Sequence, residues 1–85
     1  PLEEEHREMP VVNMRNMKKG QRGRVAAIRA QGELGRRIRD MGVFLGAEVL
    51  VQGRAPLYDP VALRVGGCTI ALRNNEADWI DVEVE

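Results

Sequence analysis

Two short runs of alternating apolar residues, joined by two glycines, constrain the fold of this 85-residue chain more than any other feature. The first run covers residues 61–65, the second covers 68–73, and Gly66 and Gly67 lie between them. Apolar residues at every second position give each strand one apolar face. A Gly-Gly link supplies the positive φ angles that a tight hairpin turn requires. The stretch therefore predicts an antiparallel β-hairpin, with Cys68 on its inward face and a positive φ at Gly67.

The remaining segments predict further short strands and one helix. Strand-like patterns cover 11–12, 23–30, 47–53 and 79–85, and 74–77 is typical of a single helical turn. In Gly32–Gly42 the apolar residues Leu34, Ile38 and Met41 follow helical spacing and form one stripe. We therefore expect a mainly β fold, a small SH3-like barrel of about five strands with one short α-helix and a one-turn helix before the last strand. Residues 1–10 are predicted to be a flexible acidic tail and residues 11–85 a single domain.

The charges of the chain sum to zero but are unevenly distributed. Residues 1–10 carry −3, residues 11–40 carry +7, residues 41–73 carry +1 and residues 74–85 carry −5. A segment of +7 can attract phosphates or an acidic protein surface. Only three aromatic residues and one cysteine are present, which argues against base-stacking platforms, disulfides and multi-cysteine metal sites. A reduced, intracellular setting fits best, and neither a membrane span nor a signal peptide is evident.

No set of side chains predicts catalysis. The single histidine, His6, lies in the acidic tail, and the single cysteine is expected in the core. Asp40, Asp59 and Glu76 have no spacing that requires an acid–base pair, and a metal site of Asp59, Glu76 and Asp78 has no support from the pattern. We therefore expect a protein that is not an enzyme and that holds neither a cofactor nor a metal ion.

Two surfaces are candidates for partner binding. Leu57 and Tyr58 are large apolar residues in the loop 55–60, which prolines stiffen at both ends. Arg36, Arg37 and Arg39 point away from the apolar stripe of the helix. Each surface also has a purely structural interpretation. Leu57 and Tyr58 could cap one end of the barrel, and the arginines could form an ordinary solvated helix face.

Four stretches of the chain, taken together and in order, resemble the FeoA family. The resemblance covers roughly residues 11–84, and the loop 55–61 followed by the sequence IALR-x-x-EA is its most specific part. The chain departs from the family pattern at Tyr58, where glycine is common, and at Leu45-Gly46, where Pro-Gly is frequent. The four stretches are Gly20–Val25, Gly35–Val43, Ala55–Val61 and Ile70–Ala77.

The resemblance implies an SH3-like fold, also related to the C-terminal domain of iron-dependent repressors, and a cytoplasmic accessory or regulatory role in ferrous iron uptake. It implies contact with the cytoplasmic part of the FeoB-type membrane transporter, which we expect at Leu57, Tyr58 and the three helix arginines. The protein would then associate with the membrane only through this partner. Weak self-association of the protein is compatible with the sequence. Two alternatives stay open, a barrel that binds nucleic acid and a metal-responsive regulatory domain. The neutral net charge and acidic ends argue against nucleic acid.

Overall fold

The computed structural model of the chain describes residues 10–54 and 59–85, which form one antiparallel sheet with a nine-residue helix and two single helical turns. Residues 1–9 of the expected tail lie outside the described residues. The strands are β1 (Val11–Asn13), β2 (Arg22–Ile28), β3 (Glu48–Arg54), β4 (Val61–Val65), β5 (Cys68–Leu72) and β6 (Ile80–Val84). The helices are α1 (Gly32–Asp40) and the single turn α2 (Asn74–Ala77), and a 3₁₀ turn covers Met14–Asn16.

The strand order in the sheet is β1-β6-β2-β3-β4-β5, and each neighbouring pair is antiparallel. The fold is therefore mainly β and SH3-like, as the sequence predicts, with six strands rather than about five. In the described part of the chain β1 and β5 are the two edges of the sheet and do not pair with each other. The additional strand, β1, has only three residues and pairs Val12 with Val82 of β6.

The predicted hairpin is present, with β4 and β5 paired from Val61 opposite Leu72 to Val65 opposite Cys68. Two details of the prediction were wrong. The positive φ, +60°, is at Gly66 and not at Gly67, as in a turn whose first central residue is left-handed. Cys68 is exposed, because it lies at the turn end of an edge strand, beyond the part of the sheet that the core covers.

The core lies on the inner face of the curled sheet and uses every second residue of the strands. Ile80, Val82 and Val84 of β6 are buried, as their alternation predicts. In β2 the pairing with β6 shifts between Val25 and Ala27, a β-bulge that accounts for the irregular spacing of its apolar residues. The largest fully buried side chains are those of Met14, Met17, Ile38, Val43, Val49, Val51, Val61, Leu63, Leu72, Ile80 and Val82.

Helix α1 covers one side of this core through the predicted stripe. Ile38 is fully buried, and Leu34 and Met41 pack against the core while remaining partly exposed. The helix ends at Asp40, slightly before the predicted bound, and Gly42 follows with a φ of +99°. A glycine in this conformation terminates a helix without the strain that a side chain would bring.

Arg54 ties the end of β3 to the 3₁₀ turn that follows β1. Its Nε donates to the carbonyl oxygen of Met17 at 2.8 Å, and its Nη2 donates to the carbonyls of Met14 and Arg15 at 3.1 and 2.6 Å. Carbonyl groups at the end of a turn need donors when they are partly buried. The guanidinium therefore connects two segments that the strand pairing leaves apart.

Candidate functional site

The three arginines of α1 are exposed, but they do not form one surface. Arg36 and Arg37 border a shallow groove of about 570 Å³ together with Leu34 and Met41. Arg39 borders a separate depression of about 310 Å³ beside Ile28. At about 100° per residue, Arg37 and Arg39 lie about 200° apart around the helix, with Arg36 on the shorter arc between them, so the helix offers positive charge on two sides, and Arg37 faces α2.

Arg37 differs from the other two arginines because it makes an ion pair with the rest of the fold. Its Nε is 3.5 Å from Oε2 of Glu76, whose residue is only 5% exposed. The other carboxylate oxygen of Glu76 accepts the backbone N–H of Arg73 at 3.0 Å, which caps α2. Arg37 thus has a structural role at the junction of α1 and α2. The sequence indicated either a solvated helix face or partner binding for this residue, and not an ion pair with Glu76.

An exposed apolar pair follows α1 and was not predicted as a surface. Phe44 and Leu45 are 54% and 65% exposed, in the loop between the helix and β3. Leu45 lines the same depression as Arg39. The signal in the sequence was present, since two large apolar residues stand next to each other before Gly46 and cannot both face the core. We call Arg39, Phe44 and Leu45 the α1 rim, a mixed basic and apolar set in which Arg39 and Leu45 share one depression and Phe44 lines another.

The second predicted surface, Leu57 and Tyr58, lies outside the described residues. The residues on either side of it are described. Arg54 is held on the 3₁₀ turn, and Oδ1 of Asp59 accepts the backbone N–H of Asn74 at 2.9 Å. The ends of the loop are therefore anchored at the 3₁₀ turn and at α2.

Three of the four carboxylates considered for chemistry, those of Asp59, Glu76 and Asp78, are engaged by different groups. Asp59 accepts from Asn74, Glu76 from Arg73 and Arg37, and Asp78 accepts both contacts of Arg15 Nη1, at 3.2 and 3.0 Å. In the described ranges no three His, Cys, Asp or Glu side chains are grouped so that they could hold a metal ion. No helix among those residues is long and apolar enough to cross a membrane.

Comparison with known proteins identifies the family. The model of the FeoA domain matches residues 12–84. The chain belongs to the FeoA family. The FeoA-like protein from Clostridium acetobutylicum has 35% sequence identity to this FeoA chain, and its solution structure superposes with a TM-score of 0.80 over 87% of this chain and 86% of its own. No curated protein sequence matches the chain.

Two further structures show how widely this fold occurs. FeoA of Stenotrophomonas maltophilia, crystallised with zinc, is 26% identical, with a TM-score of 0.70 over 87% of this chain and 89% of its own. It is described as an SH3 domain protein and a candidate ferrous iron transport activating factor. A manganese-dependent transcriptional repressor, 21% identical, matches with a TM-score of 0.82 over 93% of this chain and 44% of its own. The repressor match shows a likeness of fold.

Proposed function

We propose that this FeoA protein is a non-enzymatic accessory of ferrous iron uptake that acts in the cytoplasm by contact with the cytoplasmic part of a FeoB-type transporter. The observation that carries the proposal is the match of the FeoA domain over nearly the whole described chain. The description of the Stenotrophomonas maltophilia relative as a candidate ferrous iron transport activating factor supports it.

The α1 rim is the described surface that best suits such a contact. Exposed apolar side chains provide the area that becomes buried on binding, and a neighbouring arginine orients an acidic partner. Among the described residues that follow β1, Phe44 and Leu45 are the two most exposed large apolar ones, and Arg39 adjoins Leu45. Arg36 extends the positive charge along the helix, whereas Arg37 is engaged by Glu76. In this proposal the loop residues Leu57 and Tyr58 form a second contact.

Co-purification of the protein with the transporter from its own cell membranes tests the contact. The native protein is expected to retain the FeoB-type transporter. A variant with Leu45→Ser and Arg39→Glu is expected to lose it, because interface truncations at central positions commonly cost more than about 1 kcal/mol each. A second variant, Leu57→Ser with Tyr58→Ser, tests the loop separately.

Matched controls distinguish a lost contact from a lost fold. Arg24→Glu changes the same charge on β2, outside the depression that Arg39 and Leu45 line, and is expected to retain the transporter. Circular dichroism must show native-like strand content in every variant. Failure of the native protein to retain the transporter would overturn the proposed partner. Retention by both test variants would keep the partner and exclude these two surfaces.

A further inference from the structure

A basic groove lies at the end of the sheet where the 3₁₀ turn meets β3. Its lining comprises the cations of Arg15, Lys18, Lys19 and Arg54 with the amide side chains of Asn16 and Asn74, and it encloses about 550 Å³. The described lining residues include no carboxylate. The groove is separate from the α1 rim, with which it shares no lining residue.

Arg54 sets the electrostatics of the groove from its base. Its recorded contacts with Met14, Arg15 and Met17 are to neutral carbonyl oxygens. Partial burial lowers the pKa of Arg54, the nearby charge of Arg15 lowers that pKa further, and Asp59 acts in the opposite direction. The guanidinium groups of Arg54 and Arg15 thus lie close enough for their charges to interact, while Asp59 acts on Arg54 and Asp78 pairs with Arg15.

Three cations of the groove keep donors for a ligand. Asp78 occupies Nη1 of Arg15, while Nε and Nη2 make no recorded hydrogen bond within residues 10–54 and 59–85. Lys18 and Lys19 are exposed, and in the same ranges neither forms an ion pair. By contrast, Arg24 and Arg29 elsewhere on the sheet are paired with Glu48 and Asp81.

The loop that carries the two lysines is held in place by backbone contacts. The Lys18 N–H donates to Oε1 of Gln21 at 3.0 Å, and the Gln21 N–H donates back to the Lys18 carbonyl at 3.0 Å. The Gly20 N–H donates to the carbonyl of Val51 in β3 at 2.8 Å. A positioned loop loses less conformational freedom on binding a ligand than a mobile one, which favours affinity.

We propose that the basic groove binds a phosphate group carried by a small ligand. Its volume is within the range of small-molecule pockets. A guanidinium fork and two ammonium groups match the oxygens of a phosphate in charge and in donor geometry. The amides of Asn16 and Asn74 supply neutral polar groups at the edges of the site. This site does not depend on the transporter contact proposed above.

Titration of the full chain with inorganic pyrophosphate, followed by amide NMR shifts at low salt, tests the proposal. Saturable shifts are expected at Arg15–Gly20, Arg54 and Asn74. Lys18→Glu with Lys19→Glu should weaken binding by at least about tenfold, since the change removes two charge-assisted contacts and places two negative charges beside the ligand. Arg36→Glu, which changes the same charge on α1, should leave the affinity unchanged. Absence of saturable shifts, or an equal loss in Arg36→Glu, would overturn the proposal.

Two additions keep the test decisive. If the double Glu variant fails to fold, Lys18→Gln with Lys19→Gln removes the charges without reversing them, and it should still weaken binding. Co-sedimentation with phosphatidylglycerol vesicles then identifies the source of the phosphate. If the protein pellets with the vesicles only when the two lysines are present, the phosphate belongs to a lipid headgroup. If it binds pyrophosphate but does not pellet with the vesicles, the phosphate belongs to a soluble ligand. Pelleting without pyrophosphate binding would overturn the proposal in favour of general attraction to a charged surface.

Discussion

Nε of Arg37 in α1 lies 3.5 Å from Oε2 of Glu76 in α2, so an exposed arginine is paired with a buried carboxylate. The same carboxylate caps α2 through the Arg73 N–H. The position of α1, and with it that of Arg36 and Arg39, is therefore linked to the single turn before the last strand. Of the three arginines on the helix, only Arg37 forms an ion pair with the described part of the fold.

Replacement of Arg37 tests this division. Arg37→Ala should lower the free energy of unfolding by about 1 kcal/mol, a small value because the arginine is mostly exposed and solvent screens the pair. Arg36→Ala, on the same helix, should change it by less than about 0.5 kcal/mol. Urea denaturation measures both. Equal effects of the two substitutions would contradict a structural role for Arg37.

The hairpin turn provides a second matched pair. Gly66→Ala places a side chain at a φ of +60° and should destabilise the protein by about 1–2 kcal/mol. Gly67→Ala should be close to neutral, because Gly67 is outside the left-handed region and a Cβ there would meet no atom within 4 Å. Thermal unfolding of the two variants gives the comparison. A larger loss for Gly67→Ala would mean that the turn is built the other way, as the sequence suggested.

Gly23 in β2 is required for close packing against β6. A Cβ at this position would collide with the backbone carbonyl oxygen of Glu83 and with Cγ1 of Val82. Because the backbone cannot move aside without separating the strands, Gly23→Ala should cost about 2–3 kcal/mol.

Gly53→Ala in β3 is the control for this substitution, since open space surrounds that position. Guanidinium unfolding of both variants provides the measurement. If Gly23→Ala were tolerated as well as Gly53→Ala, the pairing of β2 with β6 would have to be wrong at this point.

Arg54 should stabilise the junction between β3 and the 3₁₀ turn through the several N–H donors of its guanidinium group. Arg54→Met keeps much of the apolar stem but removes the guanidinium donor from the partly buried carbonyl of Met17 and leaves that of Met14 with the Met17 N–H alone, and should lower stability by about 2 kcal/mol. Arg54→Lys should recover only part of the loss, because one ammonium cannot serve the separate carbonyls of Met14, Arg15 and Met17. Full recovery by lysine, measured by urea denaturation, would show that charge alone matters.

The regular parts of the fold were predictable because local patterns decide them. Alternating apolar residues predicted the hairpin and β6, and apolar residues at helical spacing predicted α1. Gly42 indicated where the helix ends. The exposure of Cys68 was not predictable from alternation alone. Alternation along a strand shows on which face of the sheet a side chain lies. Its exposure depends on which part of that face other elements cover, and Cys68 lies at an uncovered corner.

The candidate site was predictable in composition but not in arrangement. The sequence shows three arginines on one short helix, but only the fold brings Glu76, nearly forty residues later, beside one of them. Likewise, Arg15, Lys18 and Lys19 are close in the chain, whereas Arg54 and Asn74 reach the same groove only through the sheet. Contacts between distant segments carry no local signal, so a single sequence could not indicate them.

The measurement that tests the central proposal most directly is uptake of radioactive ferrous iron by cells of the source organism that lack this protein. Loss of the protein should lower the uptake, and the native chain should restore it. The Leu45→Ser/Arg39→Glu variant should fail to restore uptake at equal abundance, while Arg24→Glu should succeed. Ferrous iron uptake that is unchanged without the protein would contradict its role as an accessory of the transporter.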